Sequence, residues 1–470
     1  MKIYNTLNRQ KEEFQPLDPL EVRMYVCGIT PYDETHLGHG RAYITFDIVR
    51  RYLEYSGFKV QHIQNITDVD DKIIAKSRES RVSSHELAEK YTNSYFEVMD
   101  KLNVRRADIY PKATEHIAEM VKWISGLMDK GCAYQLDDGV YFEVDKFADY
   151  GKLSHRKKEE QEAGARVEIK GGKKSPLDFA LWKKAKAGEP SWPSPWGDGR
   201  PGWHIECSVM STKYLGEQFD IHGGGLDLEF PHHENEIAQT EALTGKVPWV
   251  KYWIHNGFVN INKQKMSKSL GNFFTLREIF EKFDPMVVRF FLLSTHYRSP
   301  INYSDQELAA AKEAYGRIGK FIKTIDFLLE KSTEEAPIIE IEDLEEELQE
   351  YKDKFKAAMD DDFNTAGAIA SVFEMIRFFN KAMEEGEVEK ECLGLMKSSV
   401  LELCEVLGLK VGTSAESRVA GQGIEQLVAE RNEARKKKDF AKSDEIRLKL
   451  EKMGYIVEDT KYGTKLSGLI

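Results

Sequence analysis

Three clusters of residues in this chain have the types and spacing to do chemistry. The first is His36-Leu37-Gly38-His39-Gly40. If a helix starts here, histidines three apart share one side of its first turn and can point at one ligand. A helix N-terminus adds unpaired N–H groups and the positive end of the dipole, which suits phosphate. The glycines let a ribose or adenine approach the backbone closely. The second cluster is Lys265-Met266-Ser267-Lys268-Ser269, followed by Gly271 and Asn272. Two lysines flanked by hydroxyls offer point charges and donors to a polyphosphate on a loop able to open and close. Read singly, the first is equally a capped helix start with surface histidines, and the second an exposed basic loop.

The third cluster is Cys27, Cys207 and Pro231-His232-His233-Glu234-Asn235-Glu236. Thiolate, imidazole and carboxylate all bind zinc. Pro231 suits a first helical turn, and the pattern is helical up to Gly245, so His232 and Glu236 fall at i and i+4 on one face. Positions 237 and 238 are Ile and Ala, which excludes the HExxH of a zincin protease. Neither cysteine sits in a CxxC. On spacing alone, a metal site and two buried free thiols beside a helix start are open alternatives.

These clusters need elements to hold them. Residues 22–30 are β-prone, a helical period begins at Gly38 and stops at Ser56-Gly57, and 58–66 alternate like a strand. Strand, glycine-containing loop, helix and strand make one α/β crossover unit. The loop lacks GxGxxG, so no dinucleotide fingerprint is read. Thr67 stands in Asn65-Ile66-Thr67-Asp68-Val69-Asp70-Asp71-Lys72, at the end of the second strand, where an open α/β sheet places its ligands. Asp68, Asp70 and Asp71 could hold Mg²⁺ or cap a following helix. Residues 77–130 read as largely helical. The Lys-, Gly- and Pro-rich stretch within 118–200 reads as an insertion that splits the sheet, which resumes over 203–258. From 306 the chain turns to long helical periods at 307–330 and 363–385. The acidic run 333–350, with nine carboxylates and no Lys or Arg, reads as a solvated face and linker. A boundary follows at 412–423, then a basic tail over 431–452 and a hairpin at 455–470.

A length of 470 residues implies roughly three domains. With 67 Lys+Arg against 79 Asp+Glu the net charge is −12, which argues against a histone-like coating of nucleic acid while leaving local basic patches open. Five widely spaced cysteines, an odd number, predict no disulfide framework and a reducing cytoplasm. No run approaches the ~18 apolar residues of a membrane span, and the first residues lack the apolar core of a signal peptide.

Together, the first two clusters resemble the paired signatures of class I aminoacyl-tRNA synthetases. With Cys27 just upstream of the first signature, and with Gly202-Trp203-His204-Ile205-Glu206-Cys207-Ser208, Asp220-Ile221-His222-Gly223-Gly224-Gly225 and Phe230 through Glu236, the chain resembles the cysteinyl-tRNA synthetases. The resemblance implies a Rossmann-type α/β catalytic domain on a parallel sheet, in two halves (1–117 and 201–258) around a connective insertion (118–200). A stem-contact region with the second signature (259–309), a helical anticodon-binding bundle (310–411) and a small α+β C-terminal tRNA-binding domain (424–470) complete it. The implied reaction is ATP-dependent activation of L-cysteine to an adenylate, then transfer to tRNA(Cys). His36, His39, Lys265 and Lys268 would be catalytic, and with Gly38 they would bind ATP and its Mg²⁺. One zinc ion per chain would be held by Cys27, Cys207, His232 and Glu236, with Glu236 the weakest ligand. Gly28, Thr67, Trp203 and His222 would line the substrate cysteine, with His204 and His233 beside the metal rather than on it. Arg431, Arg435, Lys436, Lys437 and Phe440 would meet the tRNA. A cytoplasmic monomer with no membrane partner is expected.

The chain departs from the family pattern at Leu37, where isoleucine is usual, and at Phe440 and Gly463-Thr464-Lys465-Leu466, where tryptophans are common. The alternatives are a cysteine ligase with an amino-sugar acceptor, disfavoured by the length from 310 to 470, and a non-catalytic RNA- or zinc-binding paralogue. The latter would be expected to have lost a signature residue, and none is missing.

Overall fold

The computed structural model describes residues 1–156, 172–261, 264–265, 274–331, 341–385, 388–412, 422–453, 455–460 and 463–468. These form two units: Met1–Pro285 with Thr295–Ser304 and Met359–Asn364, and Met286–Ser294 with Asp305–Ala358 and Thr365–Ile470.

The first unit opens with the antiparallel hairpin β1 (Lys2–Asn5) and β2 (Gln10–Glu13). Strand β3 (Glu21–Ile29), helix α1 (Leu37–Tyr55) and strand β4 (Lys59–Ile66) are the expected crossover unit, each within a residue or so of its sequence reading. Met24, Tyr25, Val26 and Cys27 are all buried, as a central parallel strand covered on both faces requires. Helix α1 buries Tyr43, Ile44, Phe46, Ile48 and Val49, and also Arg51, whose Nε lies 2.8 Å from Asp47 Oδ2. Helices α2 (Asp71–Ser80) and α3 (Ser84–Lys101) follow, the second started by a Ser83–Glu86 capping box.

Residues 77–130 are largely helical, as their periodicity predicts, with one extended break. After Lys101 the chain runs along the edge of β4, with Ile109 bridged to Ile63 and Lys112 to Ile66, and it becomes helical again only at α4 (Ile117–Asp129). The backbone N–H groups of Gln64 and Ile66 donate to Ile109 and Pro111. These bonds satisfy what would otherwise be an exposed sheet edge, a tertiary demand that periodicity does not register.

The expected insertion contains an antiparallel sheet of β5 (Ala133–Leu136), β6 (Gly139–Phe142), β7 (Phe179–Lys184) and β8 (Gly199–Pro201). The main sheet then resumes through α5 (Trp203–Leu215), β9 (Phe219–Gly225), α6 (Glu234–Thr244) and β10 (Val250–Asn256). Its order is β10-β9-β3-β4, all parallel. The chain leaves β3 toward β4 on one side and returns to β9 on the other, so the C-terminal end of β3 lies at the switch in strand order. One core joins this sheet to the insertion and includes Tyr25, Cys27, Phe142, Trp182, Cys207, Trp249 and Trp253. A small sheet of β11 (Val259–Ile261), β12 (Gln264–Lys265) and β13 (Ile301–Tyr303), with the short helix α7 (Leu276–Phe280), completes the unit.

The second unit is built on α8 (Pro285–Leu293), α9 (Asp305–Lys331), α10 (Ile341–Asp360), α11 (Thr365–Glu385) and α12 (Lys390–Val406). Arg289 of α8 is fully buried and donates through Nε to the Leu407 carbonyl at 2.9 Å. Of the acidic run, 341–350 opens α10, while 333–340 lies outside the described residues; so does most of the 412–423 boundary. Helices α13 (Gln422–Lys436) and α14 (Phe440–Lys452) and the hairpin β14 (Tyr455–Thr460) and β15 (Gly463–Gly468) form the C-terminal part around Ile424, Ile446, Leu450 and Val457. All five cysteines are free thiols; Cys392 and Cys404 are buried in α12, and Cys132 is half-buried. Among the described residues no helix is long and apolar enough to cross a membrane.

Candidate active site

Four elements converge at the C-terminal end of β3. The strand itself presents Cys27, α5 presents Cys207 from its second turn, and β9 presents His222. A wide helical turn over Glu229–His233, running into α6, presents His232, His233 and Glu236. The helix starts at Glu234 rather than at Pro231, because Phe230 is extended (φ −141°, ψ 133°). The wide turn nevertheless keeps the expected alignment, with His232 Nε2 3.0 Å from Glu236 Oε1.

Ligand atoms of Cys27, Cys207, His232 and Glu236 all lie within 4.8 Å of one another, and all four residues are buried. The two sulfurs are 3.7 Å apart. A second set, Cys27, His222, His233 and Glu236, satisfies the same limit. The first has two sulfur donors and is the better zinc set by donor chemistry. The second brings His233 closer than expected for a bystander: its Nε2 is 3.3 Å from Cys27 Sγ, and its Nδ1 is 2.8 Å from His255 Nε2. His204 meets the cluster through His232, Nδ1 to Nδ1 at 2.9 Å.

The charges are mutually set. Burial and the neighbouring Cys207 push the Cys27 thiol well up. Burial would raise Cys207 as well, but Cys27 and His232 bring it down to about 6. Burial would likewise raise Glu236, and His222 and His232 hold it well below the usual carboxylate range. Against its own burial, Glu236 and Cys207 lift His232 to about 10. Two sulfurs, an imidazole and a carboxylate closing on one buried point are a donor set that suits a divalent cation.

The residues expected around substrate border this cluster, directly or through Asn65 and Glu206. Trp203, 39% exposed, stacks on His232 with ring centroids 4.0 Å apart. Gly28 N–H donates to Asn65 Oδ1 at 2.8 Å, and a Cβ on Gly28 would fall 1.5 Å from the Asn65 carbonyl oxygen, so only glycine fits. Thr67 hydroxyl accepts from Asn65 Nδ2 at 3.1 Å and donates to Glu206 at 2.8 Å. His222 is fully buried, with Nε2 2.8 Å from Glu236 Oε2 and its ring stacked on Trp253. It therefore sits behind Glu236. Asn65 and Glu206 are site residues that the motifs did not single out. Their one signal was a polar side chain closing an otherwise apolar strand end, and a carboxylate beside Cys207.

The first signature forms a reciprocal cap. His36 Nδ1 accepts from the His39 backbone N–H at 3.4 Å, His39 Nδ1 accepts from the His36 N–H at 3.3 Å, and the rings stack at 3.7 Å. A neutral imidazole that accepts at Nδ1 carries its proton at Nε2. Gly38 lies between them, in the first turn of α1. Lys265 is in β12, paired with Asn260, while Lys268 lies outside the described residues. The chain beyond the second signature returns to the first: Thr275 bridges His36, and Leu276 N–H donates to Thr35 O at 2.8 Å. Of the three strand-end aspartates, Asp70 caps α2, Asp68 accepts from Thr114 N–H and hydroxyl, and Asp71 pairs with Lys183 and Arg200. Each has a structural partner, and Asp70 alone of the three caps the helix.

Of the residues expected to meet tRNA, Arg431 does not fit that role. Its side chain is 1% exposed and donates two bonds to Asp459, at 2.8 and 2.7 Å, tying α13 to β14. A guanidinium committed in this way has no face to offer a phosphate. Arg435 shares Asp459 from the surface at 2.8 Å, Lys436 and Lys437 are exposed, and Phe440 is 59% exposed. Arg431→Ala is expected to destabilise the C-terminal part by about 2–3 kcal/mol, below the ~3–5 of a fully buried pair because Asp459 is partly solvated. Hydrogen exchange of α13 and the hairpin checks this, and unchanged protection would disprove it.

Residues 13–313 match the class I (C) tRNA synthetase catalytic domain, 354–411 the DALR domain, and 420–464 the cysteinyl-tRNA ligase anticodon binding domain. The cysteine–tRNA ligase of Carboxydothermus hydrogenoformans is 51% identical over 469 residues, covering 99% of both chains. That of Thermococcus onnurineus is 52% identical over 468 residues, covering 99% of this chain and 98% of its own. Among solved structures, Mycobacterium tuberculosis methionyl-tRNA synthetase in complex with methionyl-adenylate superposes with a TM-score of 0.61 at 15% identity, over 83% of this chain and 89% of that one, a likeness of fold. The match continues past the catalytic core to the C-terminal part, so the amino-sugar alternative has no support. A parallel sheet with a buried thiol cluster at its switch point, a helical second unit and this full-length relationship together make the chain a member of the cysteine–tRNA ligase family of class I aminoacyl-tRNA synthetases.

Proposed function

We propose that the buried cluster at the end of β3 selects L-cysteine by its thiol, through one zinc ion held by Cys27, Cys207, His232 and Glu236. The observation that carries this reading is the convergence of two sulfurs, an imidazole and a carboxylate within 4.8 Å in a buried site. When bound, zinc supplies a soft acid that takes a substrate thiol as thiolate at neutral pH and leaves a serine hydroxyl protonated. Four protein ligands usually close a zinc site. Of the four, Glu236, whose oxygens are already engaged by His222 and His232, would be the weakest ligand. Trp203 and Thr67 shape the pocket, and Gly28 lets β3 close onto Asn65 of β4 beside it.

The cysteine carboxylate attacks the α-phosphorus of ATP, forming cysteinyl-adenylate and releasing pyrophosphate. It needs no general base, being ionised at pH 7. His36 and His39 donate from Nε2 to phosphate and ribose at the start of α1, near Gly38. Lys265 and Lys268, with Mg²⁺ on the nucleotide, neutralise the charge that develops toward pyrophosphate. The terminal ribose hydroxyl of tRNA(Cys) then attacks the adenylate carbonyl and AMP leaves. Arg435, Lys436, Lys437 and the exposed ring of Phe440 meet the tRNA as cations and a stacking face. A cytoplasmic monomer completes the reading.

Charging of purified tRNA with cysteine and with serine tests it. Cysteine is expected to be charged and serine to be rejected by at least about 10⁴, with one zinc per active chain. Comparable serine charging, or full activity in a metal-free preparation, would overturn it.

A further inference from the structure

We propose that Asp362 is a positioning residue for ATP, clamping the turn at 295–299 and through it setting both nucleotide signatures; this rests on reading those signatures as the ATP site. The short segment Met359–Asn364 belongs to the first unit. Asp362 adopts a left-handed backbone (φ 65°), unusual for a residue with a Cβ, and its N–H donates to Lys2 O at 2.9 Å. Its carboxylate is fully buried. Oδ1 accepts from the Tyr4 N–H at 2.9 Å and the Tyr297 hydroxyl at 2.7 Å, while Oδ2 accepts from Arg298 Nε at 2.7 Å and lies 3.6 Å from His296 Nε2. Three consecutive side chains of the turn therefore face one anion.

The turn is held from two other directions, and each leads to a signature. Arg41, two residues after His39 and almost wholly buried, directs Nη2 at the carbonyls of Thr295, His296 and Ser299, at 3.1, 2.7 and 3.4 Å. On the other side, Gly257 N–H donates to Tyr297 O at 2.8 Å and Ile301 N–H to Phe258 O at 3.0 Å. A Cβ on Gly257 would lie 2.5 Å from Arg298 O, so the turn sits against this arm without slack. The arm continues as β11, which pairs with β13 on one side and with Gln264–Lys265 of β12 on the other. A shift of the turn would be passed both to the start of α1 and to the strand pair that carries Lys265. The adjacent aspartates do not reach it: Asp360 accepts from the Tyr52 hydroxyl at 2.6 Å and Asp361 from Lys11 Nζ at 2.5 Å. The metal cluster shares none of these contacts.

Cysteine-dependent ATP–pyrophosphate exchange on the full chain tests the assignment. Asp362→Asn suits the left-handed backbone and keeps an acceptor oxygen while removing the charge. It is expected to raise the KM for ATP about tenfold and lower kcat by about ten- to a hundredfold. The KM for cysteine and the bound metal should stay within about twofold. Tyr297→Phe, which removes one hydroxyl and carries the test if Asp362→Asn does not fold, should move the same parameters by less. Asp361→Asn should match the parent chain. Unchanged ATP kinetics in folded Asp362→Asn and Tyr297→Phe, or an equal rise in both KM values, would overturn the proposal. A parent chain inert in exchange would instead refute the ATP reading on which it rests.

Discussion

Cys207→Ala is expected to abolish tight metal binding and to raise the KM for cysteine in ATP–pyrophosphate exchange by about a hundredfold or more. Loss of a partner one shell out from a metal costs about 10- to 100-fold, and a direct sulfur ligand should exceed that. The chain should still fold, because Cys207 belongs to a large core in which alanine removes a single sulfur atom. The same substitution should compress the difference between cysteine and serine, since what remains is pocket shape, which separates near-isosteres poorly. Metal analysis together with exchange driven by each amino acid checks both halves. A variant that keeps its metal and its preference for cysteine would mean that the second set, with His222 and His233, holds the ion instead.

Lys268→Ala is expected to lower kcat for exchange by about 10²–10³, the usual cost of one preorganised donor at a site of developing charge. Its metal content and its stability should match those of the parent chain. Single-turnover formation of cysteinyl-adenylate is the direct measurement, and a rate equal to the parent's would remove Lys268 from the activation step. Paired with Cys207→Ala, the variant separates the two ends of the substrate: one lysine for the departing pyrophosphate, one cysteine for the thiol.

Much of this site was legible in the sequence because its signals are local. His36 and His39 lie in one helical turn, and His232 and Glu236 share a helix face, so spacing alone placed each pair. The crossover unit was legible for the same reason, through periodicity. Cys27 and Cys207 are far apart in the chain and meet only because β3 and α5 close on one point; the family pattern paired them, not their spacing. Arg431 shows the opposite failure. In a run of basic residues it reads as one more cation, but its burial against Asp459 depends on the β14–β15 hairpin folding back over α13. Asp362 carried no sequence signal, being one aspartate among three, and only the direction of its side chain distinguishes it. The extended break after Lys101 has no local signal, because it is set by pairing along β4.

The reciprocal cap of His36 and His39 gives each ring two duties. The face that holds the helix end closed is the same one that fixes which nitrogen carries the proton, so neither ring can be removed without also fraying the turn that aims the other. Activity lost on alanine substitution at either position is therefore an entangled quantity, part ligand affinity and part helix fraying. At position 36, the N-cap, asparagine, whose carbonyl oxygen can still accept at a helix start, is the substitution that disentangles them.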